Sequence, residues 1–216
     1  MADQLQVIRD VSYNRGSGLG NLRANREGAV IVGREVQSWI AEGFVHIVNF
    51  GADTTPIALE TAYDADQPDL NLDAPRSKVV IPLYFEVSAE ATGAAGFEVH
   101  LLVSPTQVGA GTSTAITPQN LRTDSPFTSS CTARRTYTGN GTDPSANGRW
   151  IANWSINQDL DATGITPRFV WDAGMTGMGP MIVGGGSFNA YMYCGTSASA
   201  FAVLIYAELP AEYITG

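Results

Sequence analysis

In several segments of the chain apolar and polar residues alternate with period two, the spacing of β-strands that bury one face. The pattern is clearest from Val79 to Pro105. There Val79, Ile81, Leu83, Phe85 and Val87 fall on one side and, after a glycine- and alanine-rich turn, Phe97, Val99, Leu101 and Val103 do the same. This predicts a β-hairpin with one buried face. From Ser199 to Leu209, Phe201, Val203, Ile205, Ala207 and Leu209 face one way while Ala202, Leu204 and Tyr206 make the other face apolar too, which predicts a strand in the middle of a sheet. Arg149 to Asn157 alternates with Trp150, Ala152, Trp154 and Ile156 together, and Phe44 to Phe50, Arg168 to Asp172, Met181 to Val183 and Ser187 to Cys194 read as further strands. Gly28 to Gly33 is a short candidate strand.

Helical spacing is confined to Arg34 to Glu42, where Val36, Trp39 and Ile40 share a face and Gly43 supplies the stop. Strands separated by Gly, Pro and Ser turns, such as the cluster at 139–148, predict an all-β fold. The expected form is a two-sheet antiparallel sandwich, jelly-roll-like. Residues 53–73 hold six acidic residues, two prolines and no basic residue, and are expected to be a solvated loop or an irregular strand at a sheet edge. Between Gln107 and Thr138 strands should be short, since Pro118 and Pro126 interrupt them.

The first 28 residues contain GSGLGN and several asparagines, with Leu5, Val7, Ile8 and Val11 as their apolar cluster. They read as an extended N-terminal arm that orders against a partner. Residues 29–216 then form the sandwich domain, and a chain of 216 residues can bury about 70% of its extended surface without covalent staples. The two cysteines, Cys131 and Cys194, are too few for a disulfide framework and are expected to be small buried thiols.

Net charge is −9 with a single lysine, Lys78, which argues against wrapping nucleic acid. Arg9, Arg15, Arg23 and Arg26 against Asp3 and Asp10 give the first 26 residues +2, a mildly basic arm on an acidic body. The start lacks the apolar core of an export signal, and the longest apolar run, Ala200 to Ala207, is too short for a membrane span, so neither export nor anchoring is expected.

Motifs for chemistry are weak. His46 and His100 sit inside predicted strands, outside any metal-ligand spacing, and read as surface or edge histidines. Gly195 to Ala198 resembles the serine loop of subtilisin-like proteases but lacks matching His and Asp contexts, which leaves a hairpin loop between the last two strands. Asp64, Asp66, Asp69, Asn71 and Asp73 could offer oxygen ligands, yet Pro68, Asp69 and Pro75 break the EF-hand pattern. Gly16, Gly18 and Gly20 lack the strand and lysine of a phosphate loop, and the sequons at Asn140 and Asn153 have no export signal to make them acceptors. Glu86 and Glu98 would face each other across the hairpin near His100, where two like charges are a small structural penalty rather than a catalytic pair. Trp39, Trp150, Trp154 and Trp171 could form a sugar-stacking platform, but Trp150 and Trp154 share an apolar face and are expected in the core. Tyr191 and Tyr193 alternate with Met192 and Cys194, so one of these two faces is expected to be semi-exposed, and the tyrosines are the candidates for a contact surface on the body. No catalytic residue, metal site or cofactor is expected.

The segments QVGAGTSTAITPQNLR (107–122) and TDSPFTSSCTARRTYTG (123–139), with the closing strand AFAVLIYAELP (200–210), resemble small structural proteins of tailed bacteriophages, a likeness of texture that covers most of residues 42–209. The resemblance implies a non-enzymatic virion component on the outer capsid surface. It implies a capsid decoration or cement protein, a homotrimer that bridges capsomers by binding the major capsid protein. The arm, with Leu5, Val7, Ile8, Arg9 and Arg15, would clamp a neighbouring subunit or the shell. A tail or vertex spike adhesin that binds host-surface glycan is the alternative.

Overall fold

The computed structural model describes residues 35–52, 54–91, 96–139, 141–156, 167–176 and 179–211. The N-terminal arm and the candidate strand at 28–33 lie outside them. One helix, α1 (Glu35–Glu42), precedes thirteen strands. These are β1 (Val45–Phe50), β2 (Ile57–Ala58), β3 (Leu70–Asp73), β4 (Lys78–Ala91), β5 (Phe97–Ser104), β6 (Thr112–Ile116), β7 (Gln119–Asn120), β8 (Thr132–Gly139), β9 (Arg149–Ile156), β10 (Arg168–Asp172), β11 (Ile182–Val183), β12 (Ser187–Cys194) and β13 (Ser199–Pro210). A seven-stranded antiparallel sheet runs β10-β4-β13-β1-β7, with β11 also on β4 and β2 on the start of β13. A six-stranded antiparallel sheet runs β6-β8-β3-β12-β5-β9. The all-β, two-sheet class expected from the alternation is present.

Helix α1 ends where the sequence places its stop. Gly43 takes φ +80°, its N–H donates to Ile40 O at 3.0 Å and Phe44 N–H donates to Trp39 O at 2.9 Å. This is a Schellman closure that needs a residue tolerant of the left-handed region.

The chain departs from expectation in how strands pair. β4 and β5 are not a hairpin: β4 lies between β13 and β10 in one sheet, β5 between β12 and β9 in the other. Their apolar faces therefore meet across the sandwich, with Phe85 and Val87 of β4 and Phe97, Val99 and Leu101 of β5 in one core. The same holds for the last two strands. β12 belongs to the six-stranded sheet and β13 to the seven-stranded one, so residues 195–198 cross between layers and do not close a hairpin.

β13 is central, paired with β4 on one side and β1 on the other, as its two apolar faces require. Ala200, Ala202, Leu204 and Tyr206 point into the core, and Phe201, Val203 and Ile205 are half-buried on the outside. Along β4 the strict alternation breaks at Leu83, an extra residue between the pairs Tyr84–Ile205 and Pro82–Tyr206. The bulge moves Val80 into the core with Phe85 and Val87, while Ile81 and Leu83 are only half-buried. Pro82 fits here because β10 pairs residues 84–88 and β11 pairs 79–80, so its missing N–H falls in the gap between the two partners.

The acidic stretch contains an inner strand. β3 lies between β8 and β12 and is buried throughout, Leu70 and Leu72 facing the core. Its polar residues are covered on the other side. The Asp73 carboxylate accepts Val108 N–H (3.1 Å), Gly109 N–H (3.0 Å) and Arg134 Nη1 (3.0 Å), and Asn71 Nδ2 donates to Asp73 Oδ1 (3.0 Å) and Asn189 Oδ1 (2.9 Å). Tyr137 Oη lies 3.0 Å from Asn71 Oδ1 and 2.8 Å from Gly109 O. This network holds the loop after β5 over the outer face of the six-stranded sheet, every buried polar group named here having a partner.

Candidate functional site: an aromatic depression on the six-stranded sheet

Strands β12, β5 and β9 lie side by side in register, so Tyr191, His100 and Asn153 form one row across the sheet and Tyr193, Glu98 and Ser155 the next. These positions alternate with Met192, Cys194, Val99 and Leu101, which are fully buried in the core, and so they project from the outer face. Tyrosines 191 and 193 are thus on the outward side, as one of the two expected arrangements has it. Tyr191, however, is 1% exposed. Tyr63 lies over it at a ring-centroid distance of 5.0 Å, and its hydroxyl donates to Ala65 O at 2.8 Å. The surface expected of Tyr191 is taken by Tyr63, and of the two tyrosines it is Tyr193 that reaches solvent.

Trp150 joins them through a bulge. Leu101 pairs with Ala152 but Leu102 pairs with Trp150, leaving Ile151 as an extra residue. Ile151, Ala152, Trp154 and Ile156 all pack toward the core, and Trp150 is turned to the outside, 44% exposed. The expectation that Trp150 shares the core face with Trp154 fails for this reason; for Trp154, which stacks on Phe169 at 5.5 Å, it holds. Trp171 is also core.

Tyr63 is placed by its loop. Asp69, 4% exposed, accepts Met192 N–H at 2.6 Å and Glu60 N–H at 3.4 Å, and Cys194 N–H donates to Glu60 O at 3.1 Å. The start and end of the 60–69 loop are thereby tied to β12. Burial pushes the Asp69 carboxyl up to about 8 against the pull of these N–H donors. Within the loop Asp64 accepts Asp66 N–H (3.3 Å) and Gln67 Nε2 (2.8 Å). Asp64 and Asp66 are spent on loop geometry and Asp69 and Asp73 on the interior. Among the described residues no group of three His, Cys, Asp or Glu side chains is placed to hold a metal ion.

The result is an open depression of about 380 Å³ lined by Tyr63, His100, Trp150, Asn153 and Tyr193. A hydrogen-bonded chain joins three of its lining residues, Tyr193, His100 and Asn153, to Glu98 beside it. Tyr193 Oη donates to Glu98 Oε2 at 2.8 Å, His100 Nε2 lies 2.9 Å from Tyr193 Oη, and His100 Nδ1 lies 2.7 Å from Asn153 Oδ1. Burial, then the bond to Glu98, pushes the Tyr193 hydroxyl up to about 12. Tyr63 is likewise raised, by burial and by the negative charge of Asp143. The surroundings are therefore aromatic and negatively charged.

The other sequence candidates are dispersed. His46 is not at a surface or edge: it is 3% exposed, sits on β1 between β13 and β7, and stacks on Tyr206 at 5.7 Å. Burial holds its pKa below the usual histidine value. Nearby Glu208 accepts Ser129 Oγ at 2.6 Å and the Ser130 hydroxyl and N–H, and although burial works against it these bonds keep its carboxyl below the ordinary range. The serines are bound to the glutamate directly, and His46 Nδ1 has no hydrogen-bond partner among the described residues, so these groups form no serine–histidine relay there. Glu86 and Glu98 stand on opposite sheets; Glu86 accepts Arg168 Nε at 2.6 Å. Cys131 and Cys194 are both buried thiols, as expected. The arm residues Leu5, Val7, Ile8, Arg9 and Arg15 lie outside the described residues.

No protein-family model matches the chain, and no characterised protein sequence matches it significantly.

Proposed function

We propose that the protein is a structural component of a tailed-bacteriophage virion: a decoration or cement protein that sits on the outer capsid surface as a homotrimer, binds the major capsid protein and stabilises the shell. The reading rests on the phage-like segments at 107–139 and 200–210. One structural observation carries it further, the outer face of the seven-stranded sheet. There Ile47, Ile205 and Tyr84 form one row and Val203, Glu86 and Val170 the next, with Phe201 beside them. All are at least partly solvent-exposed, and a hollow of about 500 Å³ opens between Asn49, Glu86, Ser88 and Phe201. An antiparallel sheet that ends in water ordinarily presents polar residues on that side. Apolar side chains on this face, Ile47, Ile205, Val203, Val170 and Phe201, surround the Arg168–Glu86 pair and suit contact with another subunit.

In this reading a jelly-roll-like body supplies the contact face, and the arm, through Leu5, Val7, Ile8, Arg9 and Arg15, clamps a neighbour. Weak contacts repeated by symmetry then add up to a stabilised shell. The test is binding of purified protein to capsids that lack it, imaged by electron microscopy. Ordered density at three-fold or quasi-three-fold positions, lost when the first 26 residues are removed, is the expected result. Absence from the shell, or density only at the tail or vertices, overturns it.

The second reading, a spike or tail adhesin that binds host-surface glycan, is favoured by one observation, the aromatic depression on the opposite sheet.

A further inference from the structure

We propose that the depression between Tyr63, Trp150 and Tyr193 is a binding site for an uncharged saccharide. The proposal deepens the glycan-binding reading and rests on it for the biological source of the sugar, but the site stands on its own geometry and is compatible with either place on a virion.

Three features select the ligand class. The first is the disposition of the rings. Tyr63 lies 6.0 Å from Trp150, 6.2 Å from Tyr193 and 6.4 Å from His100, and His100 lies 5.9 Å from Trp150 and 5.5 Å from Tyr193. Rings at these distances touch one another. They leave no room for a cation to be enclosed between them, as an aromatic cage for a quaternary ammonium requires. What they form is a cluster of mutually tilted rings, of which Trp150 (44% exposed) and Tyr63 (39% exposed) each present a ring to solvent. The apolar C–H face of a pyranose ring stacks on such a surface, where a flat aromatic ligand would find no second wall.

The second feature is the set of polar groups beside the rings. Asn153 is exposed beside Trp150, and with one end of its amide at His100 the other is open to the depression. Glu98 engages Tyr193 and His100 through Oε2, leaving Oε1 without a hydrogen bond among the described residues. A fixed amide and a fixed carboxylate oxygen, held on two adjacent strands, offer a donor and an acceptor to a pair of neighbouring hydroxyl groups. The volume, about 380 Å³, is at the lower end of the ~300–1,000 Å³ span of small-molecule sites.

The third feature is charge. Glu98 lies beside the depression, bonded to Tyr193 of its lining, and the charges of Asp64 and Asp143 act on its tyrosines. This field repels sialic and uronic acids and leaves neutral hexoses and N-acetylhexosamines as ligands. Trp150 and Tyr63 are the stacking residues, and Asn153 and Glu98 are the residues that read hydroxyl orientation.

The experiment is saturation-transfer NMR and tryptophan-fluorescence titration of the whole chain against methyl glucoside, methyl galactoside, methyl mannoside, N-acetylglucosamine and sialic acid, each up to tens of millimolar. Saturable binding of at least one neutral sugar is expected, with at least a tenfold loss in Trp150→Ala and in Asn153→Ala. Trp150 is exposed, so its removal leaves the fold intact by circular dichroism; Tyr63→Ala is the second variant and is expected to weaken the same sugar. No binding of any neutral sugar, preferential binding of sialic acid, or binding unchanged by Trp150→Ala overturns the proposal. Capsid binding by Trp150→Ala is measured in parallel. Retained shell occupancy with lost sugar binding separates this site from the decoration role, and loss of shell occupancy by the wild type leaves the sugar result standing.

Discussion

Asp69→Asn tests the anchor beneath the depression. The carboxyl group is 4% exposed and accepts two backbone N–H groups, one of them, from Met192, at 2.6 Å. Burial raises its pKa from 3.8 to about 8. In the unfolded chain the group ionises near its ordinary value, so between these limits the folded state holds a proton that the unfolded state has released. The contribution to stability is fully present below about pH 4 and is lost as the pH rises toward 8, with a slope of about 1.4 kcal/mol per pH unit. Between pH 5 and pH 7 this amounts to about 3 kcal/mol.

Asparagine keeps an acceptor for Met192 N–H but cannot ionise. Urea unfolding followed by tryptophan fluorescence at several pH values, for wild type and Asp69→Asn, isolates the group because every other titration is common to both. The wild type should lose stability over this range by about 3 kcal/mol more than the variant. Equal slopes would refute the argument and mean that the carboxyl is ionised in the folded state. Because Asp69 ties the Tyr63 loop to β12, the protection of the loop amides relative to their intrinsic exchange rates should fall at high pH in the wild type and not in the variant.

Two further changes probe the frame. Asp73→Ala strips Val108 N–H, Gly109 N–H and the half-buried Arg134 of their acceptor, and should cost about 3 kcal/mol in chemical denaturation, with the 105–111 loop becoming protease-sensitive. Phe188→Ala removes a fully buried ring that meets Phe85 at 6.0 Å across the two sheets and should cost about 3–5 kcal/mol, whereas Val183→Ala, at a position 44% exposed, should change stability by less than about 0.5 kcal/mol.

The fold class was legible because alternation is a local property. Each strand needs only its own sequence to show which residues go inward, and β5, β9, β12 and β13 were all visible that way. Pairing is not local. A Gly- and Ala-rich connection can fold a strand back beside its predecessor or carry it over to the opposite sheet, and in both cases the apolar faces end up buried. β4 and β5, and β12 and β13, take the second course. β3 was hidden for a different reason: Asn71 and Asp73 look like loop residues until the Asn189, Tyr137 and Arg134 side chains that satisfy them are brought in from distant strands.

The depression was legible in part, and its two errors, over Trp150 and Tyr191, have different roots. Parity counts residues, whereas a sheet counts pairs, so a single bulged residue at Ile151 reverses the side on which Trp150 emerges while leaving Trp154 inside. Tyr193 kept its expected outward face because β12 pairs with β3 and β5 without any shift of register. Tyr63 had no periodic pattern around it and no sequence signal. It comes to Tyr191 only because Asp69, at the end of its loop, binds the N–H of Met192, 123 positions further along the chain. The site is thus assembled from one strand in register, one strand displaced by a bulge, and one loop held by a buried carboxyl group. If that is so, Asp69→Asn and Trp150→Ala should act on the depression in different ways: the first by changing how firmly Tyr63 covers Tyr191, the second by removing the stacking surface with the loop unchanged.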